Sequence, residues 1–215
     1  MEYYTVFTPA TAEYEIKKSR FIARIEHITS PRQASDICAG LKKEHYKANH
    51  VCYAYILGEN AREKKFSDAG EPAGTAGKPI LGVLEANGLT DVLASVVRYF
   101  GGIKLGASGL TRAYSTAIAN SVNSCEIVKM ILCRKISVEA DYSDYEKVRQ
   151  MVSSFSATEV ISDFAHKVNI NAAIPEDCEE KLLAALREIT GGKFGFSRYE
   201  TQFVKETKSQ KTSIS

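Results

Sequence analysis

The chain has 215 residues, 44% of them hydrophobic and 25% charged, with 28 Lys and Arg against 26 Asp and Glu for a net charge of +2. This excludes a disordered or fibrous chain, and an isoelectric point of 8.2 lies below the value of about 9 expected of a strongly nucleic-acid-binding domain. Any basic footprint is therefore local: the first 133 residues carry 16 basic and 13 acidic side chains, the remainder 12 and 13.

The five cysteines, Cys38, Cys52, Cys125, Cys133 and Cys178, are odd in number, form no CxxC pair and read as reduced and mostly buried. No apolar run reaches the roughly 18 residues of a membrane span. The stretch "MEYYTVFTPATAEYEIKKSR" has no signal-peptide core. The expected compartment is the cytoplasm, with no membrane partner.

In chain order, "SRFIARIEHI" alternates like a half-buried strand, and Ser30 with Pro31 places an N-cap and first turn before the helix "SPRQASDICAGLKKEHY". "HVCYAYILGE" reads as a strand, and "NAREKKFSDAGEPAGTAGKP" as a long polar loop punctuated by Gly and Pro, of the kind that often carries function. A helix over "ILGVLEANGL", a largely buried strand over "DVLASVVRYF" and a helix over "GLTRAYSTAIANSVNSC" complete an α/β unit with helices covering a sheet. From Glu126 the order is strand "EIVKMILCRKISVEAD", helix "YSDYEKVRQMVSSF", strands "ATEVISDFAH" and "KVNINAAIP", helix "EDCEEKLLAALREITGG" and strand "KFGFSRYETQFV". That β-α-β-β-α-β order is ferredoxin-like. The expected division is an α+β chain with domains over 1–133 and 134–205 and a flexible tail over 206–215, since "KETKSQKTSIS" is polar and lacks periodicity.

Two glycine-rich segments precede helices, Ser67–Pro79 and Tyr99–Leu110. A strand-to-helix turn lacking β-carbons lets backbone N–H groups converge, and a helix N-terminus adds about half a positive charge. The candidate anion- or nucleic-acid-binding set is Lys78, Arg98, Gly101, Gly102, Lys104, Gly106, Gly109 and Arg112, with Gly74, Thr75 and Gly77 in the first loop. The familiar phosphate motifs do not fit. Gly101 to Gly106 has P-loop spacing but is followed by Ala107-Ser108, Lys104 stands where a dinucleotide fingerprint needs its first glycine, and Leu110 ends a would-be nucleophile elbow. The same glycines also suit positive φ or close helix–sheet packing, and the two readings are compatible.

His45, His50 and Cys52 lie close in sequence without a fourth ligand, so no metal and no cofactor is expected. His50, Asp68 and Glu71 are candidate acid–base groups, although Asp and Ser in loops commonly bond local backbone. Tyr53 and Tyr55 can share one strand face, whereas Tyr99 and Phe100 cannot. Base stacking is one use for these rings, and core burial is the reading favoured for Phe100.

"SRFIA", "HVCYAY", "SDAGEPAGTAGKPIL" and "RYFGGIKLGASGLTRAYSTA", in this order and spacing, resemble the YigZ/IMPACT family in its bacterial two-domain form. Val51, Ala69, Ala73 and Ala107-Ser108 depart from the residues common there, and at Val51 and Ala69 a polar group is lost. The resemblance implies an N-terminal βαβ domain like those of ribosomal proteins and elongation factors, and a C-terminal domain similar to one of elongation factor G. Eukaryotic members regulate translation by binding the activator of an initiation-factor kinase, and carry a further domain. The resulting expectation is a non-enzymatic, translation-associated protein that contacts RNA or the ribosome through its glycine-rich basic turns. An enzyme acting on a small anionic substrate at the same turns, or a protein-interaction module in a translation-stress pathway, are the alternatives. Oligomeric state is not legible.

Overall fold

The computed structural model describes residues 1–206, so the expected tail lies outside the described residues apart from Glu206. Contacts divide the chain into Tyr3–Lys129, here the first unit, and Met130 onward with Met1–Glu2, the second. The chain passes between them within one strand, β7 (Glu126–Ala140), which also contains the boundary expected after residue 133.

The first unit contains β1 (Glu2–Thr8), β2 (Ala10–Ile16), β3 (Ser19–His27), α1 (Pro31–Glu44), β4 (His50–Leu57), β5 (Glu63–Ser67), α2 (Gly77–Ala86), β6 (Val92–Tyr99) and α3 (Gly106–Ser124). Its sheet runs β2-β3-β6-β4-β5, every neighbouring pair antiparallel. β1, β2 and β5 had no counterpart in the sequence pattern. β5, "EKKFS", lies on the edge, where its charged residues discourage further pairing but mask the strand signal.

Strand β6 is central and buried from Val92 to Arg98 because helices cover both faces. Val92, Ala94 and Val96 join Phe21, Ala23, Ile25, Cys52 and Ala54 in the main core, together with Ile80 and Leu84 of α2 and Leu110, Tyr114, Ala117 and Ile118 of α3. The helical residues recur at three- and four-residue spacing, the period that places them on one face. Leu93 and Val97 turn the other way, toward residues of α1. That helix begins as its sequence predicts, with the Ser30 side chain accepting from Gln33 N–H and Pro31 in the first turn.

The second unit continues with α4 (Tyr145–Ser154), β8 (Thr158–Phe164), β9 (Val168–Pro175), a short 3-10 turn (Glu176–Cys178), α5 (Glu179–Thr190) and β10 (Gly195–Lys205). Four strands run β10-β7-β9-β8, the order of a ferredoxin-like fold, and β1 also pairs with β7 in this five-stranded sheet. Ile136, Val138, Val168 and Ile170 alternate onto the face where Val148, Val152, Leu182 and Leu186 pack from the helices. The class is α+β, as read from the sequence. No helix among the described residues is long and apolar enough to cross a membrane.

Gly101 is required by close approach. A β-carbon there would stand 2.0 Å from the Lys18 carbonyl carbon in the β2–β3 turn, while its N–H donates to Ser19 Oγ at 3.1 Å. Gly82, inside α2, has open space instead, with nothing within 4 Å of the position a β-carbon would take. Gly101→Ala is therefore expected to lose roughly 1–3 kcal/mol by overpacking. Gly82→Ala should gain about 0.5–1 kcal/mol from helix propensity. Urea denaturation midpoints compare the two directly.

Candidate functional site

Strand parity sets the site. Arg98 follows Val96 and Ala94 on the core face of β6, and His50 precedes Cys52 and Ala54 on the same face of β4. His50 and Arg98 are register partners, and Phe21 lies opposite Arg98 on the other side. The Arg98 guanidinium carbon sits 5.4 Å from the Phe21 ring centroid and 5.5 Å from that of Phe100. A charged side chain is thus carried to the lip of an apolar core, where an unpaired guanidinium would be costly.

Glu71 supplies the counter-charge. Its Oε1 accepts from Arg98 Nη1 at 2.6 Å and from the Tyr114 hydroxyl at 2.7 Å. The Arg98 and Glu71 side chains are 6% and 3% exposed. His50 Nε2 lies 3.9 Å from the same oxygen, beyond hydrogen-bond reach. His50 Nδ1 is 2.9 Å from the Ala69 carbonyl, which only accepts, so Nδ1 carries the proton and Nε2 of the neutral ring keeps a lone pair. Burial, with the Cys52 and Glu71 side chains nearby, drives the Tyr114 hydroxyl far above its ordinary range. Burial pushes the Cys52 thiol up to about 12. Both groups act as hydrogen-bond partners, not as nucleophiles.

The first glycine-rich loop already holds an anion of its own. The Asp68 carboxylate accepts from Gly74 N–H at 2.8 Å on one oxygen, and from Ala76 and Gly77 N–H at 3.0 and 2.8 Å on the other. Ala76 and Gly77 open α2, so Asp68 occupies the place of an external anion at that helix end. Burial acts to raise its carboxyl, but the donors from Gly74, Gly77 and Ala76 prevail and hold it below the usual aspartate value. Thr75 donates to the Pro72 carbonyl. At Gly77 a β-carbon would meet the Ser67 backbone at 2.9 Å. Gly74, Thr75, Gly77 and Asp68 thus build the loop that carries Glu71 to Arg98.

The second turn is different. α3 begins at Gly106 after Leu105 with no side-chain cap and no acidic residue in its first turn. A cleft of about 440 Å³ opens there, lined by His50, Glu71, Arg98, Lys104 and Gly106, with Pro72, Phe100, Leu105 and Leu110 as apolar wall. Arg98 Nε is buried, with no hydrogen-bond partner among the described residues. Of the residues predicted for anion binding, the fold brings Arg98, Lys104 and Gly106 together and adds His50 and Glu71. Lys78 and Arg112 are exposed outside the lining, and Gly101, Gly102 and Gly109 support the turn without lining the cleft. Asn49, whose Oδ1 accepts from Phe100 N–H at 2.8 Å, was missed. So was Tyr114, whose core spacing hid its polar tip, and Phe100, expected in the core, is instead 45% exposed. Tyr53 and Tyr55 do share a face, packed with residues of α1. Among the described residues, no group of three or more His, Cys, Asp or Glu is placed to hold a metal.

Two outcomes follow from this geometry. Glu71→Ala leaves Arg98 buried and unpaired and is expected to lose about 3–5 kcal/mol in denaturant unfolding. Glu71→Gln, which keeps an acceptor, should lose less. Folding favours ionised Asp68, so its contribution is complete above the ordinary aspartate pKa and fades as pH falls through the lowered folded value. Asp68→Ala should therefore unfold more easily at neutral pH, by about 2 kcal/mol or more from the stranded donors, with a flatter stability curve below pH about 4.

The Impact N-terminal domain matches residues 17–122, and a domain of unknown function, DUF1949, matches residues 138–193. The chain is 35% identical over 206 residues to the IMPACT family member YvyE of Bacillus subtilis, covering 95% of this chain and 94% of that protein. It is 31% identical over 186 residues to YigZ of Escherichia coli, covering 86% and 91%. A crystal structure described as that of a hypothetical protein superposes with a TM-score of 0.62 at 29% identity, over 93% of this chain and 98% of the other. Yih1, described as a two-domain translational regulator, superposes with a TM-score of 0.34 at 28% identity, over 56% of this chain and 46% of its own. With such relatives over nearly its whole length, the chain belongs to the IMPACT family.

Proposed function

We propose that the protein is a translation-regulatory binding protein that contacts RNA or the ribosome by recognising phosphate at the α3 end of the cleft. Membership of the IMPACT family supports the cellular setting. The observation that carries the contact is the uncapped N-terminus of a 19-residue helix opening beside Arg98 and Lys104. Glu71 largely neutralises Arg98, so Lys104 and the helix end supply the excess positive field. Arg112, exposed on the second turn of α3 and outside the cleft lining, adds a positive charge to the same helix.

An enzyme acting on a small anionic substrate is the second reading, and one observation favours it: His50 keeps Nε2 at the cleft with its lone pair free, fixed by the bond from Nδ1 to Ala69. Glu71 is the poorer base, because Arg98 and Tyr114 already donate to it. Turnover of a small phosphorylated or carboxylated compound that His50→Gln abolishes in a folded protein would establish this reading over the first.

Binding of the purified protein to total RNA and to ribosomes across a salt series tests the proposal. The affinity is expected to fall by about 0.7 log units per log unit of salt for each single-strand phosphate neutralised. Lys104→Glu with Arg112→Glu should remove that dependence while leaving the fold intact. Unchanged binding by this variant would dismiss the contact assignment, and no binding even at low salt would dismiss the RNA reading.

A further inference from the structure

We infer that the cleft takes a terminal phosphomonoester borne by a nucleoside, either the end nucleotide of an RNA or a free nucleoside monophosphate, in preference to the internal phosphodiesters of a continuous strand. The inference rests on the reading that this cleft recognises phosphate, and it names the form of phosphate it admits.

Access is the first argument. Arg98 lines the cleft, yet its side chain is only 6% exposed, and its Nε is buried with no hydrogen-bond partner among the described residues while Nη1 is held by Glu71. An unpaired donor on a buried guanidinium is a standing cost, and a small movement of the side chain toward the cleft would let a ligand oxygen remove it. An internal phosphodiester carries a ribose on each side and cannot lower its oxygens into a recess. A chain end tapers to its phosphate and can.

Charge is the second argument. Glu71 lies on the same cleft wall and offsets Arg98, leaving Lys104 and the α3 N-terminus to hold the ligand. A monoester carries about −1.5 to −2 at neutral pH and three acceptor oxygens. A phosphodiester presents a single negative charge, so the same field favours the end over the interior.

The remainder of the wall suits a nucleoside. Pro72, Phe100, Leu105 and Leu110 line a cleft of about 440 Å³, within the range of about 300–1,000 Å³ typical of small-molecule sites. The Phe100 ring lies 5.5 Å from the Arg98 guanidinium carbon and is still 45% exposed, offering a stacking surface to a base next to the phosphate.

The test measures binding of one 12-nucleotide RNA sequence prepared with a 5′-phosphate, with a 3′-phosphate, with hydroxyls at both ends, and as a circle. Adenosine and guanosine monophosphates, adenosine, and inorganic phosphate serve as competitors. A phosphorylated end is expected to bind about tenfold tighter or more than hydroxyl ends, the size of a charge-assisted hydrogen bond. The monophosphates should compete and adenosine should not. Arg98→Lys, which keeps a charge for Glu71 but removes Nε, should bring the ratio between ends close to one. Should that variant fail to fold, Phe100→Ala at an exposed position should reduce competition by the monophosphates toward that of inorganic phosphate. Equal binding of all four RNAs, the circle included, overturns the inference and leaves RNA binding standing. Direct binding of adenosine or guanosine monophosphate in titration calorimetry, with no RNA bound, upholds the inference with a free nucleotide as the source and rejects the RNA reading. Binding of neither rejects both.

Discussion

A guanidinium that strand alternation places on the apolar face of a central strand must be met by a carboxylate, and much of the first unit is arranged around that requirement. Arg98 cannot turn to the opposite face without shifting β6 by one residue, which would also take Val92, Ala94 and Val96 out of the main core and onto the side packed by α1. Its partner comes from a loop, not from the sheet, and the loop must be held firmly enough for Glu71 to stay within 2.6 Å. A buried pair of this kind adds little net stability compared with an apolar replacement. The pair holds the Arg98 guanidinium rigidly at the cleft wall.

The two glycine-rich turns, alike in composition, end in opposite electrostatic states. In the first, Asp68 bonds the N–H groups around the start of α2, so the helix end is neutralised internally and the loop becomes a rigid support. In the second, nothing from a side chain caps α3, and the start of that helix faces the cleft. One helix start is bonded by a carboxylate of its own loop, and the other carries no side-chain cap. The glycines serve packing in both: Gly77 passes the Ser67 backbone and Gly101 the β2–β3 turn at distances no side chain allows.

The second unit offers a different surface. Its open sheet face carries Ser137, Glu139, Asp163, Asn169 and Asn171, with Asn171 donating to Asp163 at 2.9 Å and Lys167 paired with Glu139. Polar side chains already bonded to one another, with acidic members among them, give no phosphate-binding field.

The sequence by itself determined the order of most elements, the ferredoxin-like arrangement and the family, because hydrophobic period and capping residues such as Ser30 and Pro31 act locally. It also named His50, Asp68, Glu71, Arg98, Lys104 and Gly106 as chemistry-bearing residues. The alternation of β4 and β6 even contained the information that His50 and Arg98 share a face with the core. Strands β1, β2 and β5 were not legible: β2 and β5 are exposed edge segments carrying charge and lack the signal that burial imposes, and β1 has only seven residues with a broken alternation. What only the tertiary structure decided was the division of labour: Asp68 inward to α2, Glu71 across to Arg98 and Tyr114, and Lys78 and Arg112 away from the cleft. The Asp68 bonds span only 6 to 9 residues, but those of Glu71 depend on which residues meet across 27 and 43 positions of chain. No local pattern encodes a meeting at that separation; it is fixed only when the sheet register and the packing of α2 and α3 bring the segments together.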